Sequence, residues 1–86
     1  MKENIKKGKR NGKGEEYNYF DGKLEFEGEY KNGKRNGKGK EYYDNGNLQY
    51  VGEYLNGKRN GKGKEYDYCG KIKFEGEYKN GEKFDI

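Results

Sequence analysis

The chain has 86 residues, 27% of them hydrophobic and 42% charged, with 20 basic against 16 acidic side chains and a formal net charge of +4. It contains no Ala, His, Pro, Ser, Thr or Trp and a single Cys, which excludes Ser/His and Cys/His nucleophilic sites, imidazole metal ligation and an intrachain disulfide. Ten Tyr and four Phe remain as core material; each ring can bury roughly 150–250 Å², and no apolar run approaches the ~20 residues of a bilayer-spanning helix.

In chain order the pattern predicts strands at about 3–7, 13–19, 24–31, 38–43, 48–55, 62–68 and 72–79. The segment LEFEGEYK at 24–31 alternates with period two. Leu24, Phe26, Gly28 and Tyr30 point one way, and Glu25, Glu27, Glu29 and Lys31 the other. That is the signature of a half-buried strand rather than a helix. The same block returns at Leu48 and at Ile72, 24 residues apart each time. A second block, GKRNGKGEEY at 8–17, returns as GKRNGKGKEY at 33–42 and 57–66. Between the blocks, NGKRNG reads as a long basic turn, because Asn and Gly both tolerate positive φ. The segments ending at Gly22, Gly46 and Gly70 read as short turns. Each period is therefore a β-hairpin, and a fixed period of this length implies a stack in which each repeat touches its neighbours. The first repeat carries one extra residue between Tyr17 and Gly22, read as a bulge near the turn.

In a stack of hairpins with so few aliphatic residues, aromatic ladders on one face must supply cohesion. The candidates are Phe26, Tyr50 and Phe74; Tyr30, Tyr54 and Tyr78; and Tyr17, Tyr42 and Tyr66. Gly28, Gly52 and Gly76 sit mid-strand, where glycine weakens a strand. Their recurrence implies that a bulky neighbour needs the space, and Tyr42 with its equivalents are the expected occupants. An aromatic face not closed by its own side chains is also a partner-binding surface.

Other motifs carry less. GKRNGKGK lacks the spacing, the Ser or Thr and the strand-to-helix context of a phosphate-binding P-loop. Glu25, Glu27 and Glu29 lie on an open face where nothing sets their pKa values apart, so they read as a solvated face rather than catalytic carboxylates. Cys69 reads as an exposed turn thiol. The basic segments Lys34, Arg35, Lys38 and Lys58, Arg59, Lys62 recur once per repeat. Two strands per repeat at about 4.8 Å place them roughly 10 Å apart along one edge. Such a row fits anionic lipid headgroups or an acidic protein surface.

The blocks FEGEYKNGKRNGKGKEYYDNG at 26–46 and YVGEYLNGKRNGKGKEYDYCG at 50–70, with FEGEYKNG at 74–81, resemble the MORN repeat (membrane occupation and recognition nexus). The resemblance covers nearly the whole chain. The departures are Tyr for Trp at Tyr30, Tyr54 and Tyr78, and Asn for His at Asn11, Asn36 and Asn60. It implies an all-β fold of tandem antiparallel hairpins of about 24 residues forming an elongated, twisted single-layer sheet. The expected organisation is one domain over residues 1–86, with a partial repeat at 1–22, repeats at 23–46 and 47–70, and a partial repeat at 71–86.

The expected function is a non-enzymatic scaffold or protein-interaction module. It would bind a protein partner or itself through Phe26, Tyr30, Tyr42, Tyr50, Tyr54, Tyr66, Phe74 and Tyr78. The alternative is a peripheral module that binds anionic lipid or phosphoinositide through Lys34, Arg35, Lys38, Lys58, Arg59 and Lys62. A third possibility is an accessory segment of a protein similar to phosphatidylinositol phosphate kinases. No catalytic residue, metal or cofactor is expected, nor nucleic acid as a partner. The single Cys and the lack of a signal-peptide apolar core lead to a cytoplasmic expectation, with membrane-peripheral contact as the variant.

Overall fold

Asn-Gly pairs do two different jobs in this chain. Asn32, Asn56 and Asn80 have φ of 51°, 51° and 52°, and the glycines after them are also at positive φ. Two successive positive-φ residues make the two-residue hairpin turn that matches strand twist. The chain therefore reverses on Asn32-Gly33, Asn56-Gly57 and Asn80-Gly81 alone, and the residues that follow, Lys34-Arg35, Lys58-Arg59 and Glu82-Lys83, are already in a strand.

The computed structural model describes residues 10–84. Their seven strands are β1 (Gly12–Tyr17), β2 (Leu24–Lys31), β3 (Lys34–Tyr42), β4 (Leu48–Leu55), β5 (Lys58–Tyr66), β6 (Ile72–Lys79) and β7 (Glu82–Phe84). They form one antiparallel sheet in the order β1 to β7, each strand beside its sequence neighbours. The result is a thin slab of 41 × 27 × 15 Å. The fold class expected from the repeats is the one observed. The strand expected at 3–7 lies outside the described residues. Strands β3 and β5 begin four residues earlier than the pattern predicts, and β7 was not anticipated.

At Asn36-Gly37 and Asn60-Gly61 the second Asn-Gly of the block makes a bulge, not a turn. Opposite Glu29 the register slips, so that one residue of β2 faces Asn36, Gly37 and Lys38 of β3. Gly37 takes φ of 107° there. The Glu29 carboxylate fills the bulge and accepts the Lys38 backbone N–H at 3.1 Å. Glu53 does the same for the Lys62 N–H at 3.3 Å.

A second register slip falls at Glu16/Tyr17, Glu41/Tyr42 and Glu65/Tyr66 in all three copies. It is therefore a property of the repeat, not of the extra residue in the first. That residue instead enlarges the β1–β2 turn, leaving Tyr19 81% and Phe20 90% exposed.

Through the middle of the sheet runs an unbroken row of glycines. Gly14, Gly28, Gly39, Gly52, Gly63 and Gly76 are cross-strand partners in sequence. The rings of Phe26 and Tyr50 lie over this row. A Cβ at Gly39 would come within 2.6 Å of the Phe26 ring, and one at Gly63 within 2.4 Å of the Tyr50 hydroxyl. The mid-strand glycines thus make room for Phe26 and Tyr50 themselves. The expectation that Tyr42 and its equivalents fill that space is corrected. Glu41 stands directly opposite both Phe26 and Tyr50, so it takes the aromatic face and its neighbour Tyr42 turns to the other side. A period of two allows no other outcome.

Candidate interaction surfaces

One face of the sheet carries a continuous chain of edge-to-face rings. It runs Tyr30, Phe26, Tyr54, Tyr50, Tyr78, Phe74, with centroids 5.2 to 5.7 Å apart. Each such pair contributes about 0.5–1.5 kcal/mol beyond its buried area. Phe26 and Tyr50 are wholly buried, and Tyr30, Tyr54 and Tyr78 are nearly so.

A layer of ion pairs seals them. The Arg35 guanidinium lies 4.0 Å from the centre of the Phe26 ring, and Arg59 lies 4.2 Å from that of Tyr50. Arg35 grips Glu16 through Nε at 3.0 Å and Nη2 at 2.8 Å. Arg59 grips Glu41 in the same two-pronged way at 3.2 and 3.0 Å. The hydroxyls of Tyr30 and Tyr54 donate to the same two carboxylates. In the last copy Tyr78 donates to Glu65, and Lys83 replaces arginine over Phe74 at 5.1 Å. Burial alone would raise the pKa of Glu41. The hydrogen bonds from Arg59 and Tyr54 outweigh it and hold the carboxyl below its ordinary value. Glu16 follows the same balance through Arg35 and Tyr30.

Six of the eight proposed partner-contacting aromatics therefore come together as expected: Phe26, Tyr30, Tyr50, Tyr54, Phe74 and Tyr78. They form a closed interior rather than an open groove. Tyr42 and Tyr66 stand on the opposite face, where Tyr42 donates to Glu27 at 2.6 Å. The basic segments are also redistributed. Lys34 and Lys58 flank the two-residue turns, Arg35 and Arg59 lie on the rings, and Lys38 and Lys62 project from the opposite face of β3 and β5. They do not form loops. The expected loop row reduces to the exposed Lys31, Lys34, Lys58 and Lys79 beside the turns.

The opposite face is open and charged in stripes. On β2 it carries Glu25, Glu27 and Glu29; on β3 and β5 it carries Lys38, Lys40, Lys62 and Lys64; on β6, Glu75 and Glu77. Its centre is β4, with Gln49, Val51 and Glu53. Two shallow depressions of about 680 and 450 Å³, partly floored by the glycine row, meet at Val51. Sequence reading passed over Val51, although it is the one position among Glu27, Val51 and Glu75 that breaks the repeat. Among the described residues no group of three His, Cys, Asp or Glu is placed to hold a metal ion, and no helix is long and apolar enough to cross a membrane. Cys69 is exposed.

The model of the MORN repeat matches residues 26–48, 50–68 and 74–83, and that of a MORN repeat variant matches residues 10–32. No curated protein matches the chain.

Proposed function

The chain belongs to the MORN repeat family, a family of non-catalytic protein- and membrane-interaction repeats, and on that premise we propose that it is a scaffold that holds protein partners on its open striped face. The observation that carries this reading is the division of labour between the faces. The rings are consumed in holding hairpins together under a lid of Arg and Glu, with Phe26 and Tyr50 wholly buried. The stripes of Lys and Glu on the other face are accessible and patterned, and patterned charge gives partner choice and orientation.

Affinity capture from cells of the source organism tests it. A Lys38→Glu/Lys62→Glu variant should lose the proteins that the native chain retains, while a Lys34→Gln/Lys58→Gln variant keeps them. The reverse pattern would move the working surface to the turns. A second reading is supported by the exposed lysines beside those turns: the edge would rest on anionic bilayer lipid, at about 1 kcal/mol per basic residue near the surface. Co-sedimentation with phosphatidylserine vesicles at low salt, lost in Lys34→Gln/Lys58→Gln, is its signature.

A further inference from the structure

We propose that the centre of the striped face is a carboxylate-accepting site, built where Val51 replaces the glutamate of the repeat, and that it takes an acidic side chain of a protein partner. This rests on the scaffold reading above and names the chemistry of its partner. In the neighbouring copies the equivalent position is Glu27 or Glu75. Glu27 is the cross-strand partner of Lys40 and accepts the Tyr42 hydroxyl. Glu75 is the partner of Lys64, with 3.9 Å between Nζ and Oε2. Val51 lies between Lys40 and Lys64, directly opposite each. It offers neither a carboxylate. Tyr66, the counterpart of Tyr42, faces Val51 on the β4 side where Tyr42 faces Glu27, and Glu75 lines the same depression from β6. Among the described residues no hydrogen bond or ion pair engages the Tyr66 hydroxyl or the Lys40 ammonium.

The repeat itself therefore specifies the missing group. In both neighbouring copies this lattice position holds a carboxylate, Glu27 or Glu75. At Val51 two lysines roughly 10 Å apart across two strand spacings and a free phenol surround a small apolar floor. Beyond them stand Glu27 on one side and Glu75 on the other. That outer acid decides between an acidic side chain and an anionic bilayer. A uniformly negative surface would be repelled by Glu25, Glu27, Glu29, Glu75 and Glu77. A peptide with one acid between two bases meets every stripe with the opposite sign. Three residues of extended chain span about 10 Å, which sets the spacing between its charges.

The test uses the peptide Lys-Gly-Gly-Glu-Gly-Gly-Lys with both ends blocked, and its analogue with Gln at the centre, titrated into the whole chain to millimolar concentration by NMR. The acidic peptide should shift the Val51 methyls and the Lys40, Lys64 and Tyr66 signals and bind at least five-fold tighter than the Gln analogue. Val51→Glu, which restores the residue type that Glu27 and Glu75 already accommodate, should abolish that preference, as should Lys40→Gln/Lys64→Gln. Equal binding of both peptides, unchanged binding by Val51→Glu, or no shifts at all overturns the proposal. So does loss of phosphatidylserine-vesicle binding in Val51→Glu, which would make the ligand a lipid phosphate. If partner capture survives Val51→Glu but fails with Lys38→Glu/Lys62→Glu, the site is wrong and the scaffold reading stands. If neither variant affects capture, the scaffold reading falls as well.

Discussion

The side chain of Asn36 holds the turn of the next hairpin: its Oδ1 accepts the backbone N–H of Asn56 at 3.3 Å. Beside it the Arg35 carbonyl accepts the Gly57 N–H at 2.9 Å. Asn11 latches Asn32 and Asn60 latches Asn80 in the same way, at 2.9 and 3.0 Å. The positive-φ turn leaves these N–H groups pointing out of their own hairpin, so the neighbouring repeat completes them. This is what asparagine does at the position where the family pattern has histidine.

Asn36→Ala should therefore cost about 0.5–1.5 kcal/mol, the net value of one hydrogen bond. The loss should be local as well as global. Hydrogen exchange at the Asn56 amide should accelerate more than at Asn32 or Asn80, whose latches are intact. Equal acceleration at all three would mean that Asn36 acts on the sheet as a whole.

Gly39→Ala tests the close approach beneath the rings. The new methyl would fall within 2.6 Å of the Phe26 ring and 3.0 Å of Tyr54. Both rings are locked in the edge-to-face chain, so neither can move alone. Overpacking of this kind costs about 1–3 kcal/mol, measured as a lower midpoint in urea. Gly22→Ala at a turn meets nothing within 4 Å, but Gly22 has φ of 74°, so its cost in the same measurement should be backbone strain of about 1–2 kcal/mol rather than overpacking.

The acid and alkaline limits of stability follow from the same clusters. Burial pushes the Glu16, Glu41 and Glu65 carboxyls upward, but their Arg, Lys and Tyr donors win and leave them lowered in the fold. A lowered carboxylate contributes stability above its unfolded value and loses it as pH falls through the folded one. Stability should therefore decline below about pH 4.5, the ordinary glutamate value. On the alkaline side burial raises Tyr50 to about 12, and burial followed by the Glu41 hydrogen bond raises Tyr54. Raised phenols favour the fold fully below the ordinary value of 10 and lose that contribution as pH climbs beyond it. Urea midpoints at a series of pH values should form a plateau between these limits. Glu41→Gln should flatten the acid shoulder.

Much of the fold was legible because period-two alternation, Asn-Gly pairs and the repeat are local signals. Phe26, Tyr30 and their equivalents followed from alternation alone. What the sequence hid were the register slips. Asn32-Gly33 and Asn36-Gly37 are the same dipeptide, yet one reverses the chain and the other makes a bulge. The choice depends on where Glu29 sits across the sheet, which is not local. That one ambiguity displaced Arg35 and Arg59 into imagined loops. Glu41, not Tyr42, joins the rings because the cross-strand register sets it opposite Phe26 and Tyr50, which no local signal states. Val51 was visible as a departure from Glu27 and Glu75. Its meaning was not, because it needs Lys40 and Lys64 on either side.

Arginine and lysine should differ sharply above the rings. At Arg59 the planar guanidinium covers Tyr50 and makes two parallel bonds to Glu41, whereas at the equivalent Lys83 a single ammonium meets Glu65 at 3.3 Å. Beneath the arginine Tyr50 is wholly buried, while beneath the lysine Phe74 is only partly so. Arg59→Lys keeps the charge but removes the plate and one of the bonds. It should cost about 1.5–3 kcal/mol, the range of a charge-assisted hydrogen bond. Lys83→Arg should stabilise the chain by bringing the last copy toward the internal ones, although β7 is only three residues long. If neither substitution shifts the urea midpoint, the lid acts through charge alone and ring coverage contributes nothing.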